Sequence, residues 1–217
     1  MKKAQFKPVD WHYNEKDTWT CPSHQFQSPI NIVNNDTKPM NDDGELVLRY
    51  RKKMDTIVNT GYCLQGYLKG VASINSRNFE FQQFHFHAHG EHTIDGKSFP
   101  LELHLVHQSE NGKIAVIAVL FEIGEENKTI DELLDHVNLT EFDNKINLLN
   151  LVPKKLDYYH YLGSLTTPPL TENVEWYVLM TPMTISNKQL TRLKRIHKDN
   201  YREVQEINGR TVLKKVF

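Results

Sequence analysis

A chain of 217 residues, 39% hydrophobic and 24% charged, suits one domain with a sizeable core. Its formal net charge of −1 excludes a global electrostatic pull toward nucleic acid or an anionic membrane surface. No apolar run approaches the roughly 20 residues of a membrane-spanning helix, and two cysteines, Cys21 and Cys63, are too few for an all-thiolate metal site.

The opening "MKKAQFKPVDWHY" is basic but lacks the apolar stretch of a signal peptide. The expectation is a cytoplasmic protein with both thiols reduced. The alternative is a periplasmic or secreted protein whose signal has been removed. Residues 1–20 are expected to form an arm that packs on a sheet, within one domain spanning 1–217. Strands are predicted in chain order at 44–51, 66–74, 79–89, 101–108, 113–124 and 174–181, where β-branched and alternating residues concentrate. The run "IAVIAVLF" is apolar on both parities, which predicts a central strand buried on both faces. Helices are few. "TIDELLDHV" opens with Thr129 and Glu132 at capping-box spacing, and "SNKQLTRLKRI" with Ser186 and Gln189 in the same relation. A third short helix is expected in "EFDNKINLLNLVP". The predicted class is mainly β (α+β): one large, mostly antiparallel, twisted central sheet with a few short peripheral helices.

The segment "QFHFHAHGEHTIDG" holds four of the eleven histidines. In a strand, Gln83, His85 and His87 share one face and Phe84 and Phe86 the other. In the next strand Glu102, His104 and Val106 share a face, and His107 turns away, as a structural residue would. Asp95-Gly96 between them signals a hairpin turn. An antiparallel pairing brings His104 beside His85 and His87, so three neutral imidazoles converge. That is the ligand count of a catalytic zinc site, with a fourth position left for water. Gln83 and Glu102 precede His85 and His104 by two residues and are the right types to orient the rings. His92 is expected to brace its loop, and His89 lies where the strand should end.

These residues resemble the α-class carbonic anhydrases of bacterial type. "QFHFH", "GEHTIDG", "ELHLVH", "GSLTTPPLTENVEW" and "QSPINI" match that family's pattern in order, over nearly the whole chain. The resemblance implies that His85, His87 and His104 bind Zn²⁺, with Gln83 and Glu102 as partners of His85 and His104. It implies reversible hydration of CO₂ to bicarbonate and a proton by a hydroxide on that zinc, oriented by Thr166 and its partner Glu91. It implies a greasy CO₂-binding wall of Val106, Val116, Leu165, Val174 and Trp176 with Thr167, inhibition by sulfonamides and small anions, a homodimer, and cis peptide bonds at Ser28-Pro29 and Pro168-Pro169.

Two positions depart from the pattern. Tyr62 stands in "NTGYC", where the family often carries a proton-shuttling histidine. A phenol titrates near 10 and an imidazole near 6.5, so Tyr62 should relay protons poorly at neutral pH. His12 and His89 are the candidate substitutes. Leu170 stands where secreted bacterial relatives often place a cysteine that pairs with the one resembling Cys21, which fits a reducing compartment. The competing enzyme class is a cupin, with Glu91 as a ligand to iron or manganese. The competing non-enzyme is a carbonic-anhydrase-like binding module without catalysis.

Overall fold

The computed structural model describes residues 12–20, 25–137, 139, 145–196 and 198–217. Most of the expected arm, residues 1–11, lies outside these, as does Cys21; within the arm, Tyr13–Thr18 forms a 3₁₀ helix. The strands are β1 (Asn31–Ile32), β2 (Lys38–Pro39), β3 (Leu46–Asn59), β4 (Leu64–Ile74), β5 (Arg77–His87) and β6 (Thr93–Ile94). They continue as β7 (Leu101–Gln108), β8 (Ile114–Ile123), β9 (Tyr158–Ser164), β10 (Glu172–Leu179), β11 (Met183–Ile185) and β12 (Leu213–Lys215). Ten of them build one sheet in the order β2-β12-β9-β10-β8-β7-β5-β4-β3, with β11 beside β8. The remaining two, β1 and β6, pair with each other.

The sheet is mixed rather than purely antiparallel. The β8–β10, β8–β11 and β2–β12 pairs run parallel, and the other pairs run antiparallel. The parallel contacts centre on β8, the strand whose residues are apolar on both parities and buried from Ala115 to Phe121. Burial on both faces is the environment parallel strands occupy.

Each face of the sheet carries its own core. On the larger one Leu101, Leu103 and Leu105 of β7 and Ile117, Val119 and Phe121 of β8 pack against helices α1 (Lys128–Asp135) and α2 (Asn187–Ile196). On the other, Val116, Ala118 and Leu120 of β8 meet Val174, Trp176 and Val178 of β10. β5 obeys the same partition only through a bulge. Phe79 and Phe81 face the larger core on one parity, Phe84 and Phe86 on the other, and the register with β7 shifts between Phe81 and Gln83. A one-residue slip of this kind moves every later side chain to the opposite face. It delivers Gln83, His85 and His87 to the smaller core.

The helix ends agree with the sequence at α2. Gln189 N–H donates to Ser186 Oγ at 3.3 Å and Ser186 N–H to Gln189 Oε1 at 3.2 Å, a reciprocal cap. At α1 the expected Thr129 cap is wrong. Asn127 is the cap and accepts from Thr129 N–H at 3.1 Å, because an Asn side chain is as good a cap and stands two residues earlier. The third expected helix is reduced to a 3₁₀ turn, Leu148–Leu151; residues 141–144 lie outside the described residues. The Asp95-Gly96 turn forms as expected. Both residues have positive φ, 49° and 77°, and Ile94 and Lys97 exchange backbone hydrogen bonds across it. Ser28-Pro29 and Pro168-Pro169 are cis, and Ala88-His89 is a further cis bond.

His107 is fully buried on the helical face, with Nε2 2.8 Å from the Tyr50 hydroxyl. Burial pushes its pKa down to about 4. An unfolded imidazole titrates near 6.5, so the unfolded chain binds more protons between these values. The neutral ring's contribution is complete above pH 6.5 and declines as pH falls to 4, by about 3 kcal/mol at 1.36 kcal/mol per unit. His107→Phe should flatten the denaturant stability measured across that window relative to the parent. An unchanged pH slope would contradict the assignment.

Candidate active site

Three imidazoles meet on the smaller core's face. His85 and His87 project from β5 and His104 from β7, with His104 directly opposite His85 in the antiparallel register. One nitrogen of each ring lies within 4.8 Å of the others. The opposite nitrogen of each ring is committed. His85 Nδ1 donates to Gln83 Oε1 at 2.9 Å, His87 Nδ1 to the Asn200 carbonyl at 2.6 Å, and His104 Nε2 to Glu102 Oε1 at 2.8 Å. A neutral imidazole with its N–H spent outward keeps only a lone pair on the other nitrogen. Three lone pairs therefore face a common point.

His85 Nε2 and His104 Nδ1 stand 3.3 Å apart, and His87 Nε2 is buried without a hydrogen-bond partner among the described residues. Unpartnered buried nitrogens are costly, and converging lone pairs repel. A cation answers both. Tetrahedral ligation at 2.0–2.1 Å separates ligand nitrogens by about 3.3–3.4 Å, which fits the observed spacing. The rings are held in the neutral form that ligation requires. Burial lowers the pKa of His85 well below the imidazole range, that of His87 to about 3, and that of His104 as well.

Glu102 anchors the arrangement. Its Oε1 accepts from His92 Nδ1 at 2.7 Å and from His104 Nε2, and its Oε2 accepts from the backbone of Glu91 at 2.7 Å and His92 at 2.8 Å. Burial alone would raise its pKa, but His92 and His104 hold it well below the usual carboxylate range. His92, Glu102 and His104 also lie close enough to suggest a second metal cluster. The nitrogens concerned carry the protons that bind Glu102, so this group is closed. His92 braces its loop, with Nε2 2.7 Å from the Tyr161 hydroxyl.

Glu91 stands behind the rings. Its Oε1 is 3.4 Å from His87 Nδ1 and its Oε2 3.9 Å from His104 Nε2, the edges turned away from the shared point. A cupin would need this carboxylate on the metal, and the geometry does not provide it. Arg202 N–H donates to Oε1 at 2.8 Å. Burial first, then the charge of Glu102, raises the Glu91 pKa; the Arg202 N–H and the Thr166 hydroxyl oppose that rise. Oε2 has no close hydrogen bond from any described residue. Thr166 is 5% exposed and sits in the turn after β9, closed by Leu170 N–H on the Thr167 carbonyl at 2.9 Å.

The expected wall gathers here. Val116, Val174 and Trp176 are buried, and Val106 and Leu165 pack on the same cluster. The Trp176 ring lies 4.9 Å from that of His104 and its Nε1 donates to the Ser164 carbonyl at 2.9 Å. Thr167 is half-buried beside them. Tyr62 is half-buried, its carbonyl 3.1 Å from Asn200 Nδ2 and its ring 5.9 Å from that of His12. His89 lies just past the end of β5, outside the triad, with Nδ1 donating to the Gly90 carbonyl at 2.9 Å. Cys63 is buried and its thiol is pushed up to about 11 by burial, the state of an inert cysteine.

Two residues of the site escaped the sequence reading. Asn200 accepts from His87 through its carbonyl and from Ala88 N–H through Oδ1 at 2.9 Å, while Nδ2 donates to the Phe86 carbonyl at 2.8 Å. Arg202 joins Glu91 to the segment around the cis Ser28-Pro29 bond, with Nη1 2.7 Å from Gln27 Oε1 and 2.8 Å from the Ser28 carbonyl. Both lie in "NYREVQEINGR", a stretch without periodicity.

Three imidazoles that could hold a metal ion, beside an apolar wall on a broad mixed sheet, form a centre suited to chemistry on a small apolar molecule. The comparisons with known proteins agree. A family model described as eukaryotic-type carbonic anhydrase matches residues 7–216. A carbonic anhydrase of Klebsiella pneumoniae is 36% identical, over 97% of this chain and 89% of its own. The α-carbonic anhydrase of Photobacterium profundum superposes with a TM-score of 0.84 at 33% identity, covering 94% of this chain and 100% of its own. That of Thermovibrio ammonificans, solved with the inhibitor sulfanilamide, gives 0.82 at 34% identity over 87% of each chain. The chain belongs to the eukaryotic-type, or α-class, carbonic anhydrases. It is a lyase for the reversible hydration of CO₂ to bicarbonate and a proton.

Proposed function

We propose that the ion is Zn²⁺, held by His85 Nε2, His87 Nε2 and His104 Nδ1. The observation that supports this most directly is the buried His87 Nε2 with no partner, facing two other unprotonated nitrogens. Three nitrogen ligands without thiolate or carboxylate form a catalytic zinc donor set. Zinc in such a site lowers the pKa of water from 15.7 to about 7, a magnitude established on carbonic anhydrase itself, so hydroxide is available at neutral pH. Glu91 would be ionised with the site loaded, since a nearby dication would counter the rise that burial imposes on it. The ionised carboxylate can only accept, so the Thr166 hydroxyl donates to it and turns its own lone pair toward the nucleophile. Only a protonated oxygen would complete that chain, so Thr166 and Glu91 would orient the nucleophile toward the carbon. Val106, Val116, Leu165, Val174 and Trp176 offer CO₂ an apolar berth, with Thr167 at its edge, and the Thr166 backbone N–H is the candidate donor to a substrate oxygen. Stopped-flow CO₂ hydration with metal analysis, before and after chelation, tests the reading. Full activity without metal would end it.

The proton must then leave. Tyr62 stands where the family often carries a proton-shuttling histidine, so turnover should be limited by proton export and rise with buffer concentration. Tyr62→His is expected to raise turnover in dilute buffer. No gain, with zinc content intact, would count against this reading. A primary sulfonamide is expected to inhibit. The absence of a cysteine at Leu170 supports a cytoplasmic location. A homodimer completes the proposal, and light scattering tests it.

A further inference from the structure

The face of the sheet that carries the three histidines continues past Gln83 toward the β3 edge. There a cavity of about 740 Å³ is lined by Arg49 and Arg51 of β3, Lys69 of β4, and Asn78, Glu80 and Gln82 of β5. The alternation of buried residues sets this placement. Leu68, Ala72, Phe79 and Phe81 face the helical core, so their sequence neighbours Lys69, Val71 and Glu80 face the other way. Arg49, Val71 and Glu80 form one cross-strand row. Such a volume is that of a small-molecule site.

The charge is lopsided. Among the described residues no ion pair holds Arg49, Arg51 or Lys69, and Glu80 is the single acid among the lining groups, which also include Leu68 and Phe81 at the floor between the strands. Lysines and arginines along an exposed edge strand blunt unwanted pairing, and that role accounts for the "RYRKK" run of β3. It does not account for Lys69 or Gln82, which come from interior strands and line the same depression as the two guanidinium groups. Arg49 and Arg51 are two residues apart on one face, roughly 7 Å along the strand. Guanidinium forks recognise phosphate bidentately, and two at that spacing suit the separated end groups of a short phosphate chain better than one isolated anion. Two amides, Asn78 and Gln82, line it from β5, and Gln82 Nε2 donates to the Glu80 carbonyl at 3.1 Å.

We propose that this groove binds a small polyanion bearing linked phosphates, either inorganic or the phosphate tail of a nucleotide. The test is a ¹H–¹⁵N titration of the metal-loaded protein with inorganic triphosphate in low salt. Saturating sulfonamide blocks the metal centre throughout. Saturable shifts confined to residues 49–51, 69–71 and 78–82 are expected. They should weaken at least tenfold in R49A/R51A and, as an independent arm, in Lys69→Gln. A parallel titration with ATP separates the sources: equal affinity means that the phosphates alone are read, and tighter binding means a nucleotide. CO₂ hydration should be unchanged in all these variants, so the groove can fail while the catalytic reading stands. Unsaturable shifts, affinity indifferent to these substitutions, or engagement of anionic vesicles without engagement of triphosphate would overturn the proposal.

Discussion

His85→Ala should reduce CO₂ hydration to the uncatalysed rate and leave the protein folded and metal-poor. Of the three ligands, His85 is the one whose loss the fold tolerates best. His104 and His87 are almost fully buried, and His104 satisfies the buried Glu102 carboxylate, so removing it would also strip a charged group of a partner. His85 is partly exposed, and its outward partner is the neutral Gln83 amide. The expected loss is large because the nucleophile depends on the ion. Returning water from a pKa near 7 to 15.7 lowers the hydroxide available at pH 7 by about eight orders of magnitude. A second arm needs no substitution. Chelation of the parent protein should abolish hydration, lower the melting temperature, and be reversed by zinc, since a ligand that binds only the folded state stabilises it by mass action. At a free concentration 1,000 times the dissociation constant that stabilisation is about 4 kcal/mol. Metal content by mass spectrometry, read beside stopped-flow rates and thermal melts, checks each link. Retention of bound zinc and appreciable activity in His85→Ala would place the ion elsewhere.

The convergence of the three imidazoles was legible because strand periodicity is a local property. Two-residue spacing in "QFHFH" and "ELHLVH" decides which side chains share a face, and a hairpin turn decides which strands meet. His104 opposite His85 follows from those two facts. The apolar run of β8 was equally readable, although its parallel pairing with β10 was not, because alternation carries no sign of strand direction. β9 was missed. Its inward residues are Tyr158, Tyr159 and Tyr161, whose hydroxyls make them look polar while their rings are buried. The bulge before Gln83 was also invisible, since it is defined by register against β7 and not by the chain itself. Asn200 and Arg202 show the limit most plainly. Each holds a site residue more than a hundred positions away through backbone atoms, and a backbone carbonyl or N–H has no letter in a sequence.

Thr166→Val should lower hydration by about 10- to 150-fold with zinc content unchanged. Valine keeps the shape and removes the hydroxyl. The loss is that of a hydrogen bond to a charged group, about 1.5–3 kcal/mol, felt in the transition state. Glu91→Gln should cost a similar factor by a different route. The amide introduced there still accepts from Arg202 N–H through its oxygen, but its NH₂ donates toward Thr166 and reverses the direction of the chain. The Thr166 proton is then turned toward the nucleophile, and hydroxide, itself a donor, is no longer selected. Because both substitutions break one device, the double variant should be no slower than the worse single one. Independent contributions would multiply instead. Stopped-flow rates of the four proteins at saturating buffer, with metal content measured on each, decide the matter. A multiplicative double variant, or a Thr166→Val protein within threefold of the parent, would show that this pair does not aim the nucleophile.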